Sequence, residues 1–342
     1  MSWRTQDGRQ LLGRNFDYDR IAPGSRVTYV PRGTAYACCT DAAGAAASGT
    51  QQRARYAALG TGLLALPASP ILYEGVNDQG LMGGQLYYRE FARYAGAPLP
   101  GTCPLQPPLA VYHLLAQCAT VRQAAQLLEN EHTLVGAPLF GAVPPLHWMF
   151  CDRTGESLIV EPDRDGLHLY PSRLGVMTNS PPYPWHRLHL LNFSGVQNAD
   201  RTPDIWADEN LPDCFSGTGA QGLPGDWSSP SRFVRLCFLK KYAVPGRDEA
   251  EGVVRLFRLL QSAAFPLGLV QVSQPGQPSD LDRGTGCFDY TLYSAVLCAQ
   301  SGRMYWNTYD NPRIRCADLS RLTGSAGPVQ FPLDTPAGFE QV

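Results

Sequence analysis

Arg232 is the residue whose position is hardest to explain by folding alone. It follows Ser229-Pro230, a pair typical of a helix N-cap and the first helical position. Arg232 is therefore predicted in the first turn of a helix, where the helix dipole disfavours a cation by about 0.3–1 kcal/mol. This placement indicates either a functional guanidinium, or an arginine whose stem packs on the helix while its charge stays in solvent.

Other common catalytic patterns are missing from the sequence. There is no G-x-S-x-G, H-E-x-x-H or C-x-x-C motif, and no glycine-rich phosphate loop. His186 and His189 are three residues apart but lack a third ligand, which favours surface or packing roles. His147 and Cys151 share one face of a predicted strand, where a buried structural pair is expected rather than a catalytic dyad. We therefore expect neither a metal nor a cofactor.

Hydrophobic periodicity predicts groups of strands with helices between them. Strands are predicted at residues 10–16, 26–30, 71–74 and 80–88, in a meander of about three strands between residues 146 and 179, and in a hairpin over residues 287–311. Helices are predicted at residues 110–126, 184–192, 231–242 and 249–264, with Thr120 as a break and new N-cap in the first. This order favours a layered α+β architecture over an alternating α/β sheet.

The connecting segments give no sign of a domain boundary. Residues 41–55 are rich in Ala, Gly, Ser and Gln and predict a flexible loop or insertion. Residues 98–108 form a proline-rich connector, and no internal repeat is present. We therefore predict one domain over residues 1–342.

Composition narrows the class of protein. The chain has 342 residues, of which 44% are hydrophobic and 17% charged, ordinary values for a globular protein with a substantial core. A net charge of −2 gives no reason to expect nucleic-acid binding, and no apolar run is long enough to span a membrane. The ten cysteines have no zinc spacing, and most are expected to be free and structural. Residues 1–15 lack the apolar core of a secretory signal, so the sequence predicts a soluble cytoplasmic protein unless a signal peptide lies upstream.

Five stretches of the chain match one known family in the same order. They are GRNFDY (13–18), EGVNDQGLMGGQLYY (74–88), VMTNSPPYPWH (176–186), GLPGDWSSPSRFVR (222–235) and TLYSAVLCAQSGRMYWNTYDN (291–311). On these motifs, which extend the match over about residues 3–317, the chain resembles the choloylglycine hydrolase and penicillin V acylase family. The resemblance implies an N-terminal nucleophile hydrolase, an α+β fold whose two stacked antiparallel sheets lie between helix layers in a four-layer αββα sandwich.

In that family a cysteine at residue 1 of the mature chain attacks the amide carbonyl, and its own α-amine serves as the base. The resemblance implies that Arg14 and Asp17 stand beside this terminus, where Asp17 accepts hydrogen bonds from the amine and Arg14 favours the thiolate. Local chemistry also allows an ordinary ion pair at a strand end. Because residues three apart face opposite sides of a regular strand, both reach one site only if the strand ends or bulges between them.

The resemblance also assigns Asn179 and Arg232 to the active site. The amide of Asn179 is implied to donate to the oxyanion of the tetrahedral intermediate, with a backbone N–H near Tyr87 as the second donor. On local sequence alone, Asn179 is a turn residue ahead of Pro181-Pro182.

Tyr87 is predicted to bind substrate. Family members similar to penicillin V acylases have tyrosine at this place, whereas those similar to bile salt hydrolases usually have asparagine. Its ring is expected to stack on an aromatic acyl group, which favours a penicillin V-like substrate. The alternative is an ordinary strand tyrosine.

The nucleophile itself is missing from the sequence. The family's cysteine precedes the arginine of GRN by about sixteen residues, but only 13 residues precede Arg14 and none is cysteine. We expect the nucleophile to lie about three residues upstream of Met1, so that the chain as written is inactive. Ser2 is a poor substitute because its hydroxyl would lie about 13 Å from the required position.

Two functions follow from these observations. The first is hydrolysis of linear amide C–N bonds in small N-acyl compounds, either penicillin V-like or conjugated bile salt-like, without a cofactor. The alternative is a catalytically dead homologue that binds a small molecule. The resemblance also implies a homotetramer, with residues 204–224 in the region of the assembly loop.

Overall fold

Twenty strands and five α-helices occur in the part of the chain that the computed structural model describes, residues 1–41, 43–66, 69–201, 205–206, 209–210, 215–272 and 287–338. The first ten strands are β1 (Ser2–Arg4), β2 (Gln10–Tyr18), β3 (Arg26–Val30), β4 (Ala35–Ala37), β5 (Gln51–Arg53), β6 (Ala58–Leu63), β7 (Ile71–Asn77), β8 (Met82–Tyr87), β9 (Cys103–Leu105) and β10 (His132–Leu134). The others are β11 (Leu146–Cys151), β12 (Ser157–Asp163), β13 (Gly166–Pro171), β14 (Ile205–Trp206), β15 (Glu209–Asn210), β16 (Val270–Gln271), β17 (Phe288–Cys298), β18 (Arg303–Thr308), β19 (Arg315–Asp318) and β20 (Val329–Pro332). The helices are α1 (Ala110–Gln117), α2 (Val121–Asn130), α3 (Tyr183–Leu190), α4 (Ser229–Tyr242) and α5 (Glu249–Gln261).

Two antiparallel sheets hold most of the strands. The six-stranded sheet has the order β1-β2-β17-β18-β19, with β16 paired to β17. The eight-stranded sheet has the order β13-β12-β11-β8-β7-β6-β3-β20. The sheets stack face to face, with β17 against β7 and β2 against β8.

Helices cover the outer face of each sheet. Helix α5 packs on β2 and β17 with α4 beside it, while α1 packs on β6, β7 and β8. Every residue of β7 and β11 is buried, because these strands contact another layer on both faces. The predicted αββα sandwich is confirmed, and the long C-terminal hairpin is formed by β17 and β18.

Side-chain caps determine where several helices begin. Thr120 accepts a hydrogen bond from the backbone N–H of Gln123, which confirms the predicted break between α1 and α2. The predicted cap of α4 was wrong by one residue, since Ser228 rather than Ser229 accepts from the N–H of Ser231. Pro230 therefore occupies the second helical position, where proline is still tolerated because the first N–H groups of a helix have no intrahelical partner.

Some sequence predictions are corrected or lie outside the described residues. Residues 41–55 are not simply a flexible loop, because they include β5, which pairs with β4, and the buried Thr50. The connector at 98–108 contains β9. Most of 202–214, including much of the expected assembly loop, lies outside the described residues.

All nine cysteines in the described ranges are free. No helix in those ranges is long and apolar enough to cross a membrane.

We predict that Gly60→Ala destabilises the eight-stranded sheet. A Cβ at this position would lie 2.0 Å from the Glu74 carbonyl oxygen on β7, so the two strands would have to separate. Overpacking of this kind typically costs about 1–3 kcal/mol, measurable as a lower midpoint of denaturant unfolding. Gly96→Ala is the control, because nothing lies within 4 Å of its added Cβ. Equal midpoints for the two variants would contradict the prediction.

Candidate active site

A cavity of about 740 Å³ lies beside the ends of β2 and β8. Much of its wall is apolar, and includes Phe16, Tyr73, Leu86, Leu139, Leu146 and Phe265. The rest of the lining includes charged and amide side chains. A volume of this size and an apolar wall with a few polar groups are typical of a site for a small organic molecule.

A narrower cavity of about 60 Å³ adjoins the large one. Arg14, Asp17 and Arg232 line both cavities, and Met1 and Glu74 line the narrow one. The structure therefore brings together three of the residues assigned from the sequence. Asn179 and Tyr87 line the large cavity next to them.

Arg14 is held by a carboxylate of the opposite sheet. Its Nη1 lies 2.5 Å from Glu74 Oε2 and donates to the Tyr73 carbonyl at 3.0 Å. Glu74 is 1% exposed and also accepts from the Tyr293 hydroxyl at 2.8–2.9 Å. The Nε of Arg14 is buried and has no hydrogen-bond partner among the described residues. The guanidinium therefore keeps the Nε–H as an unused donor at the site.

Asp17 reaches the same site because the sheet is irregular at this point. The register of β2 and β17 shifts between Thr291 and Tyr293, which leaves Leu292 as an extra residue. The sequence prediction required a break or bulge in β2 itself, but β2 is continuous and the extra residue lies in β17, opposite Phe16 and Asp17. Such a bulge increases the local twist of the strand pair, and Arg14 and Asp17 both line the cavities. The Thr291 hydroxyl donates to Asp17 Oδ1 at 2.5 Å.

Asp17 is also paired with Arg232. The distance from Arg232 Nη1 to Asp17 Oδ2 is 3.5 Å. Burial raises the pKa of Asp17, and the nearby Arg232 cation partly offsets that shift. The carboxylate therefore depends on cationic neighbours to stay ionised.

Arg232 is buried, with only 8% of its surface exposed, so the alternative of a solvated arginine is wrong. Its Nε donates to the Trp227 carbonyl at 2.9 Å and its Nη2 to Asn179 Oδ1 at 2.8 Å. Its guanidinium also lies 4.8 Å from the centre of the Phe265 ring. Burial lowers the pKa of Arg232, whereas Asp17 raises it. The unfavourable position in the first turn of α4 is thus offset by specific partners.

The amide of Asn179 has a fixed orientation. Its oxygen accepts from Arg232, which can only donate, and its nitrogen donates to the Tyr87 carbonyl at 2.8 Å, which can only accept. A primary amide carries two N–H donors, and no other bond from this nitrogen occurs among the described residues. The second N–H is available to an oxygen atom in the cavity. Asn179 is therefore more than a turn residue.

Tyr87 lines the large cavity through its ring, which stacks on Tyr18 at 5.5 Å with an interplanar angle of 11°. One face of the Tyr87 ring is covered by this contact. The backbone N–H of Tyr88 donates to the Pro145 carbonyl at 2.8 Å. Tyr88 is therefore not the second oxyanion donor.

The other histidines considered from the sequence have structural partners. His147 Nδ1 lies 3.2 Å from Glu161 Oε1, and its ring stacks on Tyr88, so it does not form a dyad with Cys151. His186 Nε2 donates to the Asn179 carbonyl at 2.9 Å. His189 stacks on Trp185.

Sequence reasoning missed Glu74, Tyr293, Thr291 and Asp289, all of which contact or line the site. Glu74 lay within one of the five matched stretches. The feature that could have identified Glu74 is its position as the single acidic residue in the apolar strand ILYEGVN. A carboxylate in a strand buried on both faces must have a buried partner.

A sequence profile of the linear amide C–N hydrolases, choloylglycine hydrolase family, matches residues 1–324. The chain belongs to this family. Among its curated relatives, the bile salt hydrolase/transferase of Clostridium perfringens is 27% identical over 324 residues, 94% of this chain and 92% of the relative. That of Bifidobacterium longum is 30% identical over 315 residues, 90% of this chain and 91% of the relative.

Solved structures agree with the family assignment. A variant of conjugated bile acid hydrolase from Clostridium perfringens superposes with a TM-score of 0.85 at 25% identity, covering 100% of this chain and 99% of that one. Penicillin V acylase from Agrobacterium tumefaciens gives a TM-score of 0.70 at 19% identity, covering 96% and 89%. The latter similarity shows the shared fold.

We predict that Glu74→Gln lowers the free energy of unfolding by about 3–5 kcal/mol, because it leaves the Arg14 charge buried without a counter-charge. Glutamine keeps the shape of the side chain and can still accept from Tyr293, so the change isolates the charge. Urea unfolding measures the difference. Glu156→Gln is the matched control, since Glu156 pairs with Arg122 on the surface and such pairs contribute about 0–1 kcal/mol. A loss as small as that of the control would refute the role of the buried pair.

Proposed function

We propose that this amide hydrolase acts on small N-acyl compounds whose bulky apolar acyl group occupies the 740 Å³ cavity. The observation that carries the proposal is the fixed amide of Asn179. Its unused N–H borders the cavity that Arg14, Asp17 and Arg232 also line. A donor held in place before the reaction stabilises a developing oxyanion without the cost of reorientation.

The register of β1 indicates where a nucleophile can enter. Ser2 lies opposite Leu12, and Met1 and Gly13 exchange two backbone hydrogen bonds of 2.5 and 2.9 Å. A strand continued upstream in this register brings the third residue before Met1 opposite Phe16. That position lies between Arg14 and Asp17 along β2. We place the nucleophilic cysteine there, at the N-terminus of the mature chain.

The reaction then balances with the groups at the site. The thiol attacks the amide carbonyl carbon and its proton passes to the α-amine of the same residue, a variant of the usual nucleophile–base pair. Asn179 donates to the oxyanion. The α-ammonium returns the proton to the leaving nitrogen as the C–N bond breaks, and water then hydrolyses the thioester to release the acid.

The charged neighbours support these steps. Asp17 accepts from the α-ammonium and sets its direction, and Arg14 stabilises the thiolate. Arg232 binds both Asp17 and Asn179, so it acts as a positioning residue that keeps the base and the oxyanion donor in one arrangement.

Two acyl classes fit the cavity. The relatives named bile salt hydrolases favour a steroid acyl group, whereas the aromatic ring of Tyr87 at the cavity favours an aryl group as in penicillin V. Both substrates carry an anion on the amine that leaves, and Arg20 and Arg89 line the cavity as cations. The anion is therefore common to both substrates, and only the acyl group can distinguish them.

The test uses a chain extended upstream so that a processed N-terminal cysteine lies three residues before Met1. We expect it to release the amine from a taurine-conjugated bile salt or from penicillin V, and the ratio of the two kcat/KM values identifies the acyl class. Asn179→Ala should lower kcat by about 10²–10³-fold. Amine release is followed by mass spectrometry.

Asn130→Ala is the control, because Asn130 lies at the exposed end of α2 and its amide bonds only to the Gln126 carbonyl among the described residues. Its kcat should be unchanged. Binding of both substrates without any amine release would refute hydrolysis and favour a binding protein.

We also predict that an anionic substrate binds more weakly as the pH rises through about 6. Asp289 lines the cavity, and its pKa is raised to about 6 by burial and by Asp19, with Arg89 acting against the shift. Below this pH the carboxyl is neutral, whereas above it the carboxylate repels the substrate anion. Calorimetric titration of the 342-residue chain measures the Kd at each pH.

Asp289→Asn should remove this pH dependence and keep the tighter binding at high pH. Asp165→Asn is the control, since Asp165 is exposed and pairs with His168 on the surface. An unchanged pH profile in Asp289→Asn would show that Asp289 does not control binding.

A further inference from the structure

Two cysteines and a histidine meet outside the cavities described above. Cys38 directly follows β4, Cys103 begins β9, and His132 begins β10. Strands β9 and β10 pair in parallel with Cys103 opposite His132. None of the three residues lines the two cavities of the active site. The cluster lies by the core on the α1 and α2 side of the eight-stranded sheet, and the amide-hydrolysing mechanism does not use it.

The distances suit a tetrahedral metal ion. The two sulfur atoms are 3.4 Å apart, and one donor atom from each of the three residues lies within 4.8 Å of the others. With Zn–S bonds of about 2.3 Å, two sulfur ligands of tetrahedral zinc are about 3.8 Å apart. A disulfide would need about 2.05 Å. The sulfur separation is therefore much closer to that of a metal site.

His132 adds an independent observation. Both of its ring nitrogens are buried, and neither has a hydrogen-bond partner among the described residues. Buried polar atoms are nearly always hydrogen-bonded, and an exception calls for a bound water or ion. Coordination through one nitrogen would satisfy a group that is otherwise costly to bury.

His113 lies beside the cluster, with its ring centre 4.5 Å from that of His132, but its tautomer is already set. Gln117 Nε2 donates to the Arg53 carbonyl at 3.0 Å and to the Tyr36 hydroxyl at 2.8 Å. Tyr36 can then donate its own proton to His113 Nδ1, 2.8 Å away, and no other acceptor for that proton occurs among the described residues. The proton of neutral His113 is then on Nε2, so this histidine is a neighbour and not a ligand.

We propose that Cys38, Cys103 and His132 bind one Zn²⁺ ion through two thiolates and one imidazole. Both thiols lose their protons to solvent on binding, and the fourth position is left for a water molecule. Two thiolates select a soft or borderline ion over Mg²⁺ or Ca²⁺. The ion joins three segments that are distant in sequence, so its role is to stabilise the outer layer around β4, β9 and β10.

The test titrates reduced, metal-free protein with Co²⁺ as a spectroscopic probe. We expect one equivalent to produce a thiolate-to-cobalt charge-transfer band that Zn²⁺ then abolishes. Cys103→Ser and His132→Gln should each weaken Co²⁺ binding at least about tenfold. Zn²⁺ should raise the Tm of the unmodified protein and not that of either variant.

Matched substitutions control for unspecific binding. Cys316→Ser removes an exposed cysteine on β19, and His168→Gln removes a partly exposed histidine on β13, so both should bind Co²⁺ as the unmodified protein does. Circular dichroism establishes that each variant is folded. His132→Gln keeps both thiols and gives the decisive result if Cys103→Ser unfolds.

Three results would overturn the proposal. One is the absence of the charge-transfer band at one equivalent of Co²⁺. Another is a band that persists in His132→Gln. The third is a Cys38–Cys103 disulfide in protein purified without reductant, found by mass spectrometry, together with no metal binding after reduction. That outcome would identify the cysteines as a redox pair.

Discussion

The buried carboxylate of Glu74 is the group on which the geometry of the active site depends. It lies on the eight-stranded sheet and binds Arg14 and Tyr293, both on the six-stranded sheet. A buried charge must be paired, so the two sheets cannot slide past each other without breaking these bonds. The surroundings leave little space, because a Cβ added at Gly84 would lie 3.2 Å from Glu74 Cβ. One ion pair thus fixes both the distance between the sheets and the direction of Arg14.

Arg232 has a similar function from the helical layer. Its position in the first turn of α4 costs stability, and its contacts with Asp17, Asn179 and Phe265 offset that cost. These contacts join a strand, a loop and a helix, which explains why a cation is retained where a neutral residue would suit the helix better. The unfavourable placement of the charge in the helix is tolerated because these contacts hold the active-site residues in place.

Features that depend on nearby residues could be predicted from the sequence. Thr120 marked a helix start, and the hairpin of β17 and β18 was visible from its turn and its composition. The site residues were identified only through the family resemblance, because their local sequence allowed ordinary structural roles. Partners far apart in the chain could not be predicted. Glu74 and Tyr293 are 219 residues apart, and no local pattern connects them.

The cysteine cluster illustrates the same limit. The spacing of the cysteines excluded the usual zinc motifs, which place their ligands in pairs on one short segment. Cys38 and Cys103 instead come from segments 65 residues apart. Only the folded chain brings them to within 3.4 Å of each other.

The bulge at Leu292 restricts how this protein can diverge during evolution. On one side of Leu292, Tyr293 pairs with Phe16, and on the other side Thr291 pairs with Asp17. Loss of one residue here would turn Thr291 to the opposite face of the sheet and take its hydroxyl away from Asp17. The Leu292 side chain packs against the hydrophobic core and can vary among apolar residues, while its backbone carbonyl holds the bulge by accepting from the N–H of Tyr309. Natural selection is therefore expected to conserve the length of this strand more strictly than the identity of its extra residue.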